Sequence, residues 1–256
     1  MTEASPKIVA SRLAVDYVNL DTGAAHRAVE NLDLAVAANE FLCVLGPSGC
    51  GKSTLLAAIA GFLKPAQGTL TMNGQPIAGP GAERGVVFQE YALLPWMTVL
   101  DNAALGLKLR GIPRKERYET ARRFLAMANL HGVEHKYPHE LSGGMKQRVA
   151  VARTLANAPE VMLMDEPFAA VDAQTRTQLQ ADLLTLWELG RKTIIFVTHD
   201  ITEAIALGDR ALVLSKQPTR IAAEHMIPIP RPRNVKDIFA LPGFAVVYEK
   251  IRADVQ

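Results

Sequence analysis

The 256-residue chain contains only two cysteines, Cys43 and Cys50. Two thiols without metal-ligand spacing are too few for a disulfide framework, which favours a reducing compartment. No apolar run approaches the ~20 residues that cross a bilayer, and the first ten residues lack the apolar core of a signal peptide. We therefore expect a soluble chain that reaches a membrane through a partner.

An excess of charge of one sign is also nearly absent, because the formal net charge is only +2. A dedicated nucleic-acid binder is usually more basic, with its charge gathered on one face or in a tail. The densest basic run, residues 114–123, is interrupted by Glu116 and Glu119 and is typical of a solvated helix face. No nucleic-acid partner is expected.

The hydrophobic pattern predicts an α/β fold. Residues 8–20 and 28–36 are β-rich and predict antiparallel strands joined by a turn at 19–27. Short apolar runs at 41–45, 84–89, 161–164 and 193–198 are typical of buried parallel strands, and helical segments separate them. Further helices are predicted at 52–62, 100–130, 173–189 and 244–253.

These elements predict a single domain over residues 1–256, with a mostly parallel sheet and an N-terminal antiparallel β subdomain. The helical stretch at about 93–158 interrupts the alternation and predicts an inserted α-helical subdomain. Within it, Pro113 predicts a helix start and Gly132 a helix stop. A hairpin around Gln217 and Pro218 is expected to open a short tail at about 216–256.

The stretch "GPSGCGKS" fits the pattern G-x-x-x-x-G-K-[ST] and lies between a predicted strand and a predicted helix. Glycines let consecutive backbone N–H groups point at phosphate oxygens, and a lysine supplies a charge at the β- and γ-phosphates. The Ser53 hydroxyl is a candidate ligand of Mg²⁺. The alternative is a chance glycine-rich turn. The predicted phosphate contacts are Gly46, Pro47, Ser48, Gly49, Cys50, Gly51, Lys52, Ser53 and Thr54.

Polar side chains follow three of the predicted strands. Asp165 and Glu166 end "VMLMDEP", where Asp165 would hold Mg²⁺ and Glu166 would be the general base toward water. His199 ends "FVTHD" as a candidate γ-phosphate contact, and Gln89 ends "VVFQ" as a candidate contact of Mg²⁺ or the attacking water. The alternatives are solvated strand ends and a structural histidine. Because the carboxyl ends of parallel strands share an edge, these residues are expected to converge.

A second anion-binding helix start is predicted far along the chain from the phosphate loop. In "LSGGMKQR", Ser142, Gly143 and Gly144 precede a basic amphipathic helix, which is typical of a helix N-terminus that holds an anion. The alternative is a structural N-cap with a tight turn.

The chain resembles the ATP-binding subunit of an ABC transporter in the combination of "GPSGCGKS", "FQ", "LSGGMKQR", "MDEP" and "FVTHD". The sequence "GPGAERGVVFQ" followed by "LLPW" is similar to the taurine, alkanesulfonate and nitrate importer group. The resemblance implies ATP hydrolysis with Mg²⁺ in a head-to-tail dimer of two copies. Ser142, Gly143 and Gly144 of one copy would then reach the γ-phosphate on the other, and Asp172 would lie at the dimer interface.

The resemblance further implies transmembrane permease subunits as partners, and a periplasmic solute-binding protein that acts indirectly. The chain would lie on the cytoplasmic face of the inner membrane. A short apolar segment is expected to receive a helix of the membrane subunit, although a small core beneath the helical subdomain is the alternative. Its residues are Tyr91, Leu93, Leu94, Pro95, Trp96 and Met97.

The sequence departs from the family pattern at the residue that contacts the adenine of ATP. The aromatic residue that usually stacks on adenine falls by spacing near residues 22–24, which are not aromatic. Tyr17 is the nearest candidate, and a packed strand residue is the alternative. Cys50 predicts inhibition by thiol reagents with protection by ATP, unless the thiol merely fits the loop.

Two other classes remain as alternatives. A soluble ABC-type ATPase acting on nucleic acid or ribosomes should show basic patches or coiled-coil insertions. A nucleotide-responsive binding module without turnover is disfavoured by the presence of Glu166 and His199.

Overall fold

The computed structural model describes residues 6–18, 25–216 and 218–255. Most of the predicted turn at 19–27, and Gln217 of the predicted hairpin, lie outside the described residues. The chain forms two compact units. We call residues 1–81 with 191–256 the phosphate-loop unit, and residues 82–190 the helical unit. Of the helices in the described ranges, none is long and apolar enough to cross a membrane.

The elements of the described residues alternate between strands and helices along much of the chain. In chain order they are β1 (Ile8–Val18), β2 (Ala25–Val36), β3 (Phe41–Leu45), α1 (Lys52–Ala60), β4 (Gln67–Met72), β5 (Gln75–Pro76), β6 (Arg84–Val87), α2 (Val99–Ala103), α3 (Leu105–Leu109), α4 (Arg114–Met127), α5 (Gly143–Ala156), β7 (Val161–Asp165), α6 (Ala173–Gly190), β8 (Thr193–Val197), α7 (Ile201–Leu207), β9 (Arg210–Leu214), β10 (Ile221–Met226) and α8 (Phe244–Asp254). Short 3₁₀ turns lie at Pro138–Glu140 and Val235–Ala240.

The phosphate-loop unit contains two sets of strands. The antiparallel set has the order β2-β1-β4-β5, which confirms the predicted N-terminal antiparallel strands. In the second set, β3 lies between β8 and β9 and is parallel to both, while β10 closes the predicted hairpin against β9. Both β3 and β8 are buried along their whole length, as expected of parallel strands covered on two faces.

In the helical unit, α2, α4 and α5 pack around an apolar cluster that includes Val99, Ala121, Leu125 and Val149. Its two strands, β6 and β7, run parallel to each other. Parallel pairs in both units, together with the antiparallel N-terminal strands and the helices of residues 99–156, confirm the predicted α/β fold class.

Three predicted boundaries are wrong. Strand β2 begins at Ala25, so residues 25–27, which were predicted to belong to the turn, lie in the strand. Helix α4 begins after Pro113 as predicted, but it ends at Met127 and does not reach Gly132. Asn129 adopts a left-handed backbone, φ 56°, which asparagine tolerates and which ends the helix earlier. Strand β6 ends at Val87, so the side chain of Gln89 lies beyond the ladder and is exposed.

Candidate functional site

The phosphate loop joins β3 to α1 in the phosphate-loop unit. Helix α1 begins with Gly51 in a left-handed conformation, φ 100°, and has no side-chain cap. A Cβ at Gly51 would lie 2.3 Å from the Thr219 hydroxyl oxygen, so only glycine fits there. The uncapped N–H groups of the first turn are therefore donors for an anion at the helix start.

Lys52 is the only lysine among the described residues that is buried, with 5% of its surface exposed. Its ammonium group donates hydrogen bonds to the carbonyl oxygens of Gly46, at 2.8 Å, and Pro47, at 3.0 Å. The charge is thus held inside the loop, where it can face bound phosphates. Ser53, in the first turn of α1, is exposed, as are Ser48 and Gly49 at the tip of the loop.

Thr219, which the sequence did not single out, supports the phosphate loop from the β9–β10 turn. Its side chain is fully buried, and its hydroxyl donates a hydrogen bond to the Cys50 carbonyl oxygen. Its backbone N–H also donates to the Ala28 carbonyl at 2.9 Å. No local pattern marks Thr219, because its partner lies 169 residues away along the chain.

His199 lies at the same end of the sheet as the phosphate loop. Val44 of β3 is paired with Val197 of β8, and the Thr198 N–H donates to the Val44 carbonyl at 3.1 Å. The exposed His199 follows directly. On its other side Asp200 caps α7 by accepting a hydrogen bond from the Thr202 N–H at 2.7 Å. The backbone on both sides of the histidine is therefore fixed.

Gln89, Asp165 and Glu166 lie at one edge of the helical unit. Val87, the last residue of β6, is paired with Met164 of β7. Asp165 is the last residue of β7, and Gln89 and Glu166 follow the ends of the two strands. Glu166 is half-buried and has a left-handed backbone, φ 41°. Such a conformation costs about 1–3 kcal/mol in a residue other than glycine, and strained residues cluster at functional sites.

Ser142 caps helix α5, with its hydroxyl accepting a hydrogen bond from the Met145 N–H at 3.3 Å. The predicted N-cap is present, and it leaves Ser142 exposed at the helix start. Gly144 is buried, and a Cβ there would lie 2.5 Å from the Thr175 side chain, so the glycine permits close approach to α6.

Asp172 caps helix α6 and lies close to the start of α5 in the helical unit. Its carboxylate accepts a hydrogen bond from the Thr175 N–H at 3.0 Å, and this bond lowers the pKa of the exposed carboxyl group. A Cβ at Gly143 would lie 3.8 Å from the Ala170 carbonyl oxygen, two residues before Asp172. The helix start at Ser142, which the sequence predicts to bind an anion, and the Asp172 segment thus form one surface.

The segment after Gln89 contacts both ends of helix α5. At the start of α5, a Cβ at Gly143 would lie 3.0 Å from the Tyr91 hydroxyl. Toward its end, Arg153 donates to the carbonyl oxygens of Ala92, at 2.7 Å, and Tyr91, at 3.3 Å. Burial lowers the pKa of the Arg153 guanidinium. The segment and α5 are therefore joined by contacts near both ends of the helix.

Trp96 is 70% exposed, which rules out the alternative of a small core for this side chain. Its loop is held by Asn102, a fully buried residue that the sequence did not single out. The Asn102 amide oxygen accepts a hydrogen bond from the Leu94 N–H at 2.8 Å, and its nitrogen donates to the Leu94, Met97 and Thr98 carbonyls at 3.0–3.1 Å. The sequence signal that could have identified Asn102 is its position as a polar residue within the largely apolar stretch "VLDNAA".

Tyr17 is 53% exposed, so the alternative of a packed strand residue does not hold. It pairs with His26 across β1 and β2. Residues 22–24, where spacing places the adenine contact, lie outside the described residues.

Both thiols are buried, Cys43 as expected of a predicted buried strand and Cys50 contrary to the expectation of a reactive loop thiol. Cys50 is 2% exposed and Cys43 is fully buried. Burial raises the pKa of Cys50 despite the opposing charge of Lys52, and burial raises the pKa of Cys43. The structure thus favours the alternative in which Cys50 fits the loop without reacting readily.

Curated relatives cover most of the chain. The "ABC transporter" family model matches residues 29–169. The chain is 55% identical to an uncharacterised ABC transporter ATP-binding protein of Methanocaldococcus jannaschii, over 81% of this chain and 78% of that protein. It is 48% identical to a nitrate import ATP-binding protein of Synechocystis, with 79% and 76% covered. It is 45% identical to a taurine import ATP-binding protein of Chromobacterium violaceum, with 97% and 95% covered.

Solved structures give the same result. A dimeric bacterial ABC transporter cassette matches with a TM-score of 0.77, at 32% identity over 86% of this chain and 98% of that chain. A dimeric post-hydrolysis state of an ATP-binding cassette bound to ADP and Pi matches with a TM-score of 0.75, at 32% identity and the same coverage. The chain belongs to the ABC transporter family, in which it is an ATP-hydrolysing, ATP-binding subunit.

Proposed function

We propose that this chain drives solute import by a bacterial ABC transporter, and that the solute is taurine or a related sulfonate. The relatives named nitrate and taurine import ATP-binding proteins support the transport role. The observation that supports a shared ATP site is the presence of two helix starts of the type that binds anions, at Lys52 and at Ser142, in different units of one chain. One bound nucleotide needs only one phosphate loop. A second helix start of this type is explained if it contacts the nucleotide bound to another copy of the chain.

The proposed assembly is a head-to-tail dimer with two ATP molecules between the copies. The phosphate loop of one copy would hold the phosphates, and the Ser142–Gly144 start of the other would meet the γ-phosphate. Asp172, which caps α6 beside that start, would lie at the same interface. The match to two dimeric cassettes supports this arrangement.

The proposed chemistry uses the strand ends. Glu166 would orient the attacking water and take its proton, while His199 would contact the γ-phosphate. The oxygen donors of Ser53, Gln89 and Asp165 are the type that Mg²⁺ prefers, and Gln89 and Asp165 lie at the ends of paired parallel strands. The metal would neutralise charge on the phosphates.

The proposed coupling to the permease runs through the Trp96 loop, residues 91–97. Exposed aromatic side chains held on a rigid loop are typical anchors of protein interfaces. The Asn102 hydrogen bonds fix this loop, and Arg153 joins its start to helix α5. A permease helix seated on the loop could thus sense movements of the Ser142 end. We infer that residues 93–158 act as a subdomain of the single domain in this step.

The solute is proposed from the named relatives. The taurine relative aligns with nearly the whole chain, whereas the nitrate relative is slightly more identical over a shorter region. A nitrate or other small-anion importer is therefore the second candidate. In either case the chain would lie on the cytoplasmic face of the inner membrane. A periplasmic binding protein would select the solute without touching this chain.

The test is deletion of the gene in its host. We expect loss of growth on taurine as sole sulfur source and normal growth on sulfate, with restoration by the intact gene but not by a Lys52→Ala gene. Loss of growth on nitrate as sole nitrogen source, with normal growth on taurine, would replace the sulfonate proposal by the nitrate one. A chain that copurifies with nucleic acid and no membrane protein would contradict the transport role.

A further inference from the structure

The helical unit concentrates positive charge on α3, α4 and the turn between them. Residues 107–123 contain seven lysines and arginines against Glu116 and Glu119, a balance of +5. The whole chain has a net charge of only +2, so the remainder is net negative. Six of the seven basic side chains are exposed, and we call them the basic patch: Lys108, Arg110, Arg114, Lys115, Arg122 and Arg123.

The basic side chains crowd together around Tyr118, and the acidic neighbour that acts on Lys108 and Arg114 is Asp101. The guanidinium carbons of Arg114, Arg117 and Arg122 lie 5.2, 5.5 and 5.9 Å from the centre of the Tyr118 ring. Among the described residues, no salt bridge involves a member of the basic patch. A solvated helix face, as the sequence suggested, would more often pair its charges with neighbouring acids.

An exposed apolar side chain lies among these charges. Leu109 is 80% exposed, and it stands between Lys108 and Arg110 at the end of α3. A leucine flanked by basic residues suits the boundary between phospholipid headgroups and acyl chains. The same leucine has no role in the helical core, since it is absent from the cluster around Val99 and Leu125.

The basic patch is joined to the Trp96 loop by hydrogen bonds within the helical unit. The Tyr118 hydroxyl donates to the Asp101 carboxylate at 2.5 Å, and the Asp101 N–H donates to the Thr98 hydroxyl oxygen at 3.1 Å. Thr98 caps α2 directly after the Trp96 loop. If that loop receives the permease, as proposed above, the patch lies near the membrane in which the permease is embedded.

We propose that the basic patch binds the anionic phospholipid headgroups of that membrane. Lipid is favoured over the permease itself because cytoplasmic loops of membrane proteins carry an excess of lysine and arginine, which would repel the patch. The cytoplasmic leaflet carries negative charge and attracts nearby basic side chains. From the sequence, membrane association is expected only through a partner protein. The basic patch would add a direct contact between this chain and the lipid.

The test uses the full chain with lipid vesicles and no permease. We expect it to sediment with vesicles rich in phosphatidylglycerol and to remain in solution with pure phosphatidylcholine. Binding should be lost at about 1 M salt, where charges are screened beyond about 3 Å. The variant Arg114→Gln/Lys115→Gln/Arg122→Gln should bind about a hundredfold more weakly, since each surface charge contributes about fivefold.

The matched control is Lys64→Gln/Lys236→Gln/Lys250→Gln, which removes the same charge from exposed positions of the other unit. It should lose much less vesicle affinity than the patch variant. Equal losses would show attraction by net charge alone and overturn the proposal, as would binding to RNA without binding to anionic vesicles. ATP hydrolysis and permease assembly, measured on the same variants, separate a failure of this proposal from a failure of the transport role.

Discussion

The buried hydroxyl of Thr219 donates a hydrogen bond to the carbonyl oxygen of Cys50, inside the phosphate loop. A peptide group is planar and trans, so its carbonyl and its N–H point in opposite directions. With the Cys50 carbonyl directed at Thr219, the N–H of Gly51 is directed away from it. The β9–β10 turn thus sets the orientation of a donor in the loop that holds phosphate.

Replacement of Thr219 by valine, which keeps the shape and removes the hydroxyl, should weaken ATP binding. The Cys50 carbonyl would be left unpaired in a buried place, at a cost of about 1–3 kcal/mol. We expect an ATP Kd about tenfold higher, measured well below the unfolding temperature, and recovery in Thr219→Ser. A Thr219→Val chain with reduced stability and an unchanged Kd would show that the residue only supports the fold.

Replacement of Glu166 by glutamine should preserve ATP binding and slow hydrolysis by about 10²–10⁴-fold, because a positioned general base contributes a factor of that size. Phosphate release and nucleotide binding measure the two effects separately. A stable ATP-bound dimer should accumulate, visible as a doubled mass in solution. The exposed Glu119→Gln on α4 provides a control of equal charge change. Hydrolysis near the wild-type rate in Glu166→Gln would assign the base elsewhere.

Replacement of the 70% exposed Trp96 by alanine should leave stability within about 0.5 kcal/mol, as for most surface substitutions. It should reduce copurification with the permease, because an exposed aromatic anchor would be lost. Phe239→Ala, at a 74% exposed aromatic in the other unit, is the matched control and should assemble normally. Unimpaired assembly of Trp96→Ala would place the docking surface elsewhere.

The parts that sequence predicted well are those in which adjacent residues determine the structure. The run Phe41–Leu45 was assigned to a buried strand with the bounds that the structure shows, and Pro113 marks the start of α4. The positions of the glycines in the phosphate loop determine where its backbone can adopt a left-handed conformation. The early end of α4 was missed because Asn129, a weaker signal than Gly132, breaks the helix.

The parts that sequence could not predict depend on contacts between distant segments. Nothing near Thr219 indicates that it reaches Cys50, and nothing near Arg153 indicates that it holds the Tyr91 and Ala92 carbonyls. The burial of Cys50 was equally hidden, since loop residues are usually exposed. Each of these features concerns how a site residue is held, whereas the motifs themselves name only which residues are present.

Alkylation of both thiols should be slow near neutral pH. Burial raises the pKa of each, so little thiolate is present, and the rate should rise about tenfold per pH unit. Folding then disfavours the charged thiols, so their contribution to stability is present below about pH 8.5 and declines as the pH rises further. Mass spectrometry of iodoacetamide adducts, with the urea-unfolded chain as reference, measures the rates. Rapid labelling of Cys50 at neutral pH would restore the reactive-thiol hypothesis.

Damage to the Ser142 helix start should abolish hydrolysis and leave ATP binding by a single copy nearly intact. Ser142→Arg places a long side chain where the partner's γ-phosphate would meet the helix. Because Ser142 also caps α5, Ser142→Ala is the control, and it should lose only about 1 kcal/mol of stability. Gly143→Asp should act similarly, since two negative charges about 4 Å apart cost about 4 kcal/mol at an effective dielectric of about 20.

The shared site itself is tested by mixing two inactive chains. Lys52→Ala fails at its own phosphate loop, where the ammonium is buried, but it still provides an intact Ser142 start. Mixed with Ser142→Arg, it gives a dimer in which both defects fall in one site and the other site is whole. Recovered ATP hydrolysis in the mixture, with none in either parent, is the expected result. If Ser142→Arg could not bind ATP even as a monomer, Ser142 would serve its own chain's nucleotide, and the head-to-tail arrangement would be wrong.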